Sequence, residues 1–352
     1  MSVSINQHKL LFNFAASYTY GGYKRLVEYA RWFDAVGGAA FVVHKNCWHL
    51  REQFPGNRYY VVEQSRLRRL FDDCNYLRSI EDDIGRPDLY YSYGIPLYYP
   101  FGTINWFHLS NVLTLKTSGA PMSPRDIFRF GYLGWRIKRG LPHADIISAE
   151  SRSSLEVIER KDSGRLFLSV NGSDEELSLV NSGKYDAAED IVAVVGTYRY
   201  KGLPDAVRVF EMLKSEQRGL QLLIFGREDL IPARLRSKPN VVAVGNVSRA
   251  SLIDVLRRSK YYVSTTYAEN ASNANSEGVF CAAESYISDI GPHRELLQGM
   301  PFDRVRVPGL SRDLLHVKRG NLSGGNLKTW DTVIVEMMAR FNAALAERRA
   351  SQ

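Results

Sequence analysis

Short runs of β-branched and aromatic residues alternate with amphipathic stretches through the second half of the chain. Residues 191–195, 220–225, 241–244 and 261–266 are apolar runs of strand length, and 261–266 reads as a strand buried on both faces. Residues 205–214 and the segment SRASLIDVLRRSK carry helical periodicity, the second opened by Ser248 as its N-cap. Strand, helix and strand in this order predict a parallel, doubly wound sheet. The first half starts in the same way. Residues 10–14 form a strand, a loop ends in Gly21-Gly22, and a helix follows through Leu26, Ala30 and Phe33 to Gly37-Gly38. Residues 329–350 predict a last helix with Val333, Met337, Phe341 and Leu345 on one stripe.

Length turns this pattern into two domains. The 352 residues, 45% of them hydrophobic, fill two cores of ordinary size. The predicted division is an amino-terminal Rossmann-like domain over 1–175, a second over 176–328, and a final helix over 329–352 that packs back on the first. The polar, turn-rich run EELSLVNSGKYDAAED reads as the linker. No apolar run approaches the roughly 20 residues of a membrane span, and MSVSINQHKLLFNF lacks a cleavable signal pattern. Cys47, Cys74 and Cys281 are too few and too scattered for a disulfide frame or a metal site. The expected compartment is a reducing cytoplasm.

A net charge of +8 calls for an anionic partner. No zinc finger, basic zipper or aromatic RNP motif is present, so nucleic acid is not the expected one. In residues 123–140, SPRDIFRFGYLGWRIKRG, cations interleave with aromatics. That mixture suits the face of an anionic bilayer, and equally an ordinary amphipathic helix over the core.

The candidate chemistry lies beyond the carboxyl end of 261–266, where open α/β sheets bind ligands. Glu269 falls in the loop there and Glu277 within the next helix, with Asn270, Ser272 and Asn273 beside them. A carboxylate accepts two hydrogen bonds from neighbouring hydroxyls, so one can hold a ribose diol and the other a hexose. Gly196-Thr197-Tyr198-Arg199-Tyr200-Lys201-Gly202 ends another strand, which brings Arg199 and Lys201 to the same edge as cations for a diphosphate leaving group. Gly226 and Arg227, and Asn246, Val247 and Ser248, follow the neighbouring strands and would flank a nucleotide base through backbone groups. Ser288, Asp289 and Glu295 complete the wall by position, although Asp289 could simply cap the next helix.

Glu269, seven residues, then Glu277, followed by Ser288-Asp289 and His293-Arg294-Glu295, resembles the E-x7-E region of the retaining GT-B glycosyltransferases of family four. The resemblance implies a GT-B fold, two Rossmann-like domains facing each other across a cleft. It implies Glu277 on the donor ribose, Glu269 on the transferred sugar, and the backbone of Asn270, Ala271 and Ser272 on sugar and phosphate. It further implies Gly21 and Gly22 beside the donor diphosphate, His108 near the sugar, and Asn171, Gly172 and Asp174 at the exit from the first domain. Two departures stand out: Asn270-Ala271-Ser272 replaces the family's glycines, and Ala282-Ala283-Glu284 replaces its Gly-x-Pro turn. The implied reaction is metal-independent transfer of a hexose, with retention, from a nucleoside-diphosphate sugar to a glycan or lipid-linked acceptor, the leaving phosphate taking the acceptor's proton. No cofactor is expected. The commonest setting for similar chains is bacterial surface polysaccharide: O-antigen of lipopolysaccharide, capsule or exopolysaccharide. Rival readings are a nucleotide-sugar epimerase of the same fold, a noncatalytic nucleotide-sugar binding subunit, and, least favoured, a nucleic-acid binder.

Overall fold

The computed structural model describes residues 8–63, 74–117, 119–158, 164–173, 177, 188–271, 273–321 and 327–351. Asp174 and Ser272, and nearly all of the predicted linker, lie outside them. The chain divides into two compact units. One is Met1–Lys116, Phe128–Gly172 and Thr329–Gln352, and the other is Thr117–Ile127 and Ser173–Lys328.

In the first unit seven strands form one wholly parallel sheet in the order β3-β2-β1-β4-β5-β6-β7. They are β1 (Leu10–Asn13), β2 (Ala40–His44), β3 (Arg58–Val62), β4 (Leu89–Tyr93), β5 (Ile104–Leu109), β6 (Ile146–Ala149) and β7 (Leu166–Leu168). Every residue of β1, β2, β4, β5 and β6 is buried, which is why these strands are apolar runs and not alternating ones. The longer helices are α1 (Tyr20–Val36), α2 (Cys74–Ile84) and α3 (Pro124–Gly140), the last belonging to this unit from Phe128 onward. Gly21 and Gly22 belong to the first turn of α1 and not to a preceding loop. The helix begins as soon as extended Thr19 releases the chain, although Thr19 makes no side-chain cap. Its other end is as predicted: Gly37, at φ 118°, returns its N–H to the Phe33 carbonyl, a left-handed exit that suits glycine.

Two apolar layers cover the two faces of this sheet. One joins Phe12, Phe33, Phe41, Tyr91 and Trp106 with Ile334, Met337 and Phe341 of the final helix, Trp330–Ala350. The other gathers Leu11, Val42, Tyr90, Phe107 and Ile147. Thr329 caps the final helix by accepting from the Thr332 N–H at 3.2 Å, and the predicted stripe of Val333, Met337, Phe341 and Leu345 is buried.

The second unit holds β8 (Glu189–Val195), β9 (Gln221–Phe225), β10 (Val241–Gly245), β11 (Ser259–Ser264), β12 (Glu284–Ser288), β13 (Asp303–Val305) and β14 (Leu314–Lys318), in the order β10-β9-β8-β11-β12-β14-β13. Its longer helices are α4 (Leu203–Glu216), α5 (Arg249–Arg258), α6 (Asn273–Cys281) and α7 (Gly291–Leu296). The sheet is mixed, where the sequence pattern predicts a parallel one: β14 runs antiparallel to both β12 and β13. Only residues 306–313 join β13 to β14, too short a connection for the crossover that parallel neighbours need.

Candidate functional site

The strand order of the second unit reverses between β8 and β11, and such a switch point is where open α/β sheets bind ligands. Two loops meet there. The loop after β8 runs through a 3-10 turn, Arg199–Lys201, and the loop after β11 carries Glu269. They are zipped by Tyr267 N–H donating to the Tyr200 carbonyl at 2.7 Å and by the Thr265 hydroxyl donating to the Gly202 carbonyl at 2.8 Å. Gly202 has φ 71°, and a Cβ there would lie 2.3 Å from the Thr265 carbonyl oxygen, so a side chain would separate the loops. As a result Lys201 Nζ donates to Glu269 Oε1, both side chains largely shielded from water. The structure thus brings together two predicted site residues that are 68 apart in sequence.

Glu277 lies in α6, buried, with Arg249 against it: Nε and one terminal nitrogen of the guanidinium sit 2.9 and 2.7 Å from Oε1. Ser248 is the N-cap of α5, its hydroxyl accepting from the Ser251 N–H at 3.1 Å. Asn270 is buried, Ala271 is half-buried, and Val247 and Arg199 face solvent. The Gly226 N–H donates to the Gly245 carbonyl at 2.9 Å, and the Arg227 carbonyl accepts from the Thr197 hydroxyl at 3.1 Å. The backbone of 226–227 is therefore anchored to the switch-point loop, while the Arg227 side chain turns outward to Asp229. Asp289 does not cap α7, whose N-cap is Ile290; it pairs with Arg294 and Arg304.

Beneath these residues runs a buried chain of hydrogen bonds that the sequence does not reveal. The Ser288 carbonyl can only accept, so His293 Nδ1 donates to it at 2.7 Å. His293 Nε2 then accepts from the Asn275 amide at 2.5 Å, and Asn275 Oδ1 accepts from the Tyr262 hydroxyl at 2.8 Å. Burial pushes the His293 pKa down to about 4 against the opposing pull of Glu269, so the ring is neutral, as this chain requires. Gly278 lies flat on the Tyr262 ring, where a Cβ would come within 2.4 Å. Together these contacts fix α6 on β11, and with it Glu277.

In the first unit His108 is the penultimate residue of β5 and is fully buried. Ser148 Oγ accepts from Trp106 Nε1 at 2.7 Å and is hydrogen-bonded to His108 Nδ1 at 2.8 Å. His108 Nε2 lies 3.6 Å from Glu150 Oε1. The His108 ring also stacks on Tyr93, with centroids 5.0 Å apart. A Cβ on Gly22 would touch the same Tyr93 ring at 3.2 Å, which places Gly22 and His108 around one tyrosine. Tyr93 donates to Glu150 at 3.0 Å. Arg25 of α1, wholly buried, completes the cluster with bonds to the Ser169 hydroxyl and to the Ser169, Val170 and Asn171 oxygens at 2.9–3.2 Å. Burial and then the Arg25 charge lower the His108 pKa to about 4. Burial alone would raise Glu150; the His108 contact and the Arg25 charge reverse it and hold the carboxyl below its ordinary value. Arg25 and Glu150 carry no sequence motif, and only their burial in the fold identifies them.

Among the described residues no three His, Cys, Asp or Glu side chains gather as a metal site would need. Cys47 and Cys281 are buried free thiols whose pKa burial raises to about 11 and about 12, so neither is poised as a thiolate nucleophile.

Strand order β3-β2-β1-β4-β5-β6 in one unit and β10-β9-β8-β11-β12 in the other defines a chain of two Rossmann-like, doubly wound sheets. Solved structures with this architecture over essentially the whole chain include GT-B glycosyltransferases, and the fold is GT-B. One is sucrose-phosphate synthase from Thermosynechococcus elongatus, with TM-score 0.68 and 13% identity over 97% of this chain and 100% of that one. Another is HepE from Anabaena in complex with UDP-glucose, with TM-score 0.58 and 13% identity over 98% of this chain and 100% of that one. A third is the α,α-trehalose 6-phosphate synthase of Burkholderia multivorans, with TM-score 0.52 and 11% identity over 98% and 95%. No protein-family model matches the chain, and no curated protein sequence does.

Proposed function

We propose that this protein is a retaining, metal-independent glycosyltransferase, similar to those of family four, that moves a hexose from a nucleoside-diphosphate sugar to a hydroxyl of a glycan or lipid-linked acceptor. The observation that carries the reading is the Lys201–Glu269 pair at the β8/β11 switch point, with Glu277 held in the next helix. Lys201, joined by Arg199, would neutralise the diphosphate as it leaves, and the leaving phosphate would take the acceptor's proton. Glu277 would accept from the ribose diol, and Glu269 would contact the transferred sugar. Asn270, Ala271 and the anchored backbone of Gly226, Arg227, Val247 and Ser248 would line the donor. His108 and Gly22, gathered on Tyr93, with Gly21 beside them, would contact sugar and phosphate in this reading. Bacterial surface polysaccharide assembly is the setting we infer. HepE, solved with UDP-glucose, makes UDP the first nucleotide to try.

Thermal unfolding with UDP, GDP, TDP and ADP tests this. A ligand at about 100 times its Kd stabilises by roughly 2.7 kcal/mol. One of the four is expected to raise the wild-type transition, and Glu277→Ala to abolish the rise. If no diphosphate stabilises the wild type, the donor site is not where we put it.

We further place the acceptor at an anionic membrane surface through α3. Phe128 and Trp135 are 74% and 49% exposed, and Arg129, Lys138 and Arg139 are exposed on the same helix. Among the described residues no helix is long and apolar enough to cross a membrane. Two aromatics entering the interface and roughly 1 kcal/mol from each nearby cation give selective binding to charged vesicles. Phosphatidylglycerol vesicles should sediment the protein and phosphatidylcholine vesicles should not, with Phe128→Ser/Trp135→Ser losing about tenfold or more in affinity. Equal sedimentation by both lipids would leave α3 as a plain core-covering helix.

A further inference from the structure

Glu277 is only 7% exposed, and a carboxylate so shielded needs a partner. Arg249 is that partner, with two guanidinium nitrogens on Oε1. Its position is unusual for its own helix. Arg249 is the first residue of α5, directly after the N-cap, where a cation opposes the helix dipole. The first turn of α5 has no acidic residue to compensate. A residue that breaks a local rule without local gain points to a role elsewhere, and here its guanidinium reaches Glu277.

We propose that Arg249 is a positioning residue of the nucleotide site, fixing the Glu277 carboxylate so that it meets the ribose diol, and that discrimination of ribose from deoxyribose runs through this pair. The proposal rests on Glu277 being the ribose ligand. A carboxylate free to rotate must be ordered when it meets a diol, whereas one whose Oε1 is already clamped by two guanidinium nitrogens is oriented in advance. Lysine, a point charge on a flexible stem, reproduces the charge and not the orientation.

The test compares UDP with dUDP, GDP with dGDP and ADP with dADP by calorimetric titration of the full chain. Wild type, Arg249→Ala, Arg249→Lys and Glu277→Ala are measured, with ligand-free unfolding as a check on folding. Wild type is expected to favour the ribonucleotide by about tenfold or more, the worth of a charge-assisted hydrogen bond. Arg249→Ala should lower that ratio to about threefold or less by losing affinity for the ribonucleotide alone, and Arg249→Lys should recover part of it. If Glu277→Ala loses the ratio while Arg249→Ala keeps it, the positioning role is overturned and the ribose site stands. If Glu277→Ala keeps the ratio, or no ribonucleotide binds the wild type, the ribose reading falls and this proposal falls with it.

Discussion

Lys201→Ala is expected to lower the turnover of sugar transfer by roughly 10²- to 10³-fold while changing the donor KM far less, because a preorganised charge acts mainly where charge develops. Lys201 is held in advance. Gly202 lets its loop close on Thr265, two hydrogen bonds zip the loops, and Glu269 fixes the ammonium, so no reorganisation is needed as the diphosphate departs. The pair also means that Glu269 accepts from Lys201, and any bond it makes to a sugar hydroxyl is made beside that cation. Lys201→Arg should recover part of the rate. Steady-state kinetics following released diphosphate would decide the matter. A change below about threefold in kcat would remove Lys201 from the leaving-group role.

Arg25→Ala is the change expected to cost most in stability. It strips a fully buried guanidinium from Glu150, three backbone or side-chain oxygens of 169–171 and the Ser169 hydroxyl, and leaves the carboxylate shielded beside a neutral histidine. Removing one partner of a buried pair costs about 3–5 kcal/mol. For a unit of this size that is on the order of 10 °C in its unfolding transition. Arg25→Lys should rescue little, since an ammonium cannot reach acceptors spread over a fork. Differential scanning calorimetry reads this directly, and a shift within about 2 °C would show that the cluster is not what holds the carboxyl edge of this sheet.

The parts of the molecule legible in the sequence were those written locally. The buried strands announce themselves as unbroken apolar runs, Ser248 stands at the start of a helical period, and Gly37 ends one. Glu269 and Glu277 are legible because strand, loop and helix put them at one edge within a few residues. What could not be read depends on residues distant in sequence. Lys201 meets Glu269, Arg249 meets Glu277, and Arg25 meets Glu150 only because the fold places the loops and helices that carry them side by side. Gly22 looks like a loop glycine until the helix is seen to start at Tyr20, and then its smallness answers to the ring of Tyr93. The antiparallel edge of the second sheet is hard to read because β13 and β14 are short and their Pro308-Gly309 turn signal sits in a connection longer than a hairpin loop. His293 stood within a recognised motif, and its partners Asn275 and Tyr262 did not.

The final helix gives the first unit a broken chain order. Its apolar layer needs Ile334, Met337 and Phe341, whereas the second unit draws on nothing later than Lys328. On a ribosome, where domains close as they emerge, the second unit can finish first and the first cannot. For as long as that takes, this apolar layer lacks Ile334, Met337 and Phe341, and it is the amino-terminal sheet, synthesised earliest, that would most engage a holding chaperone.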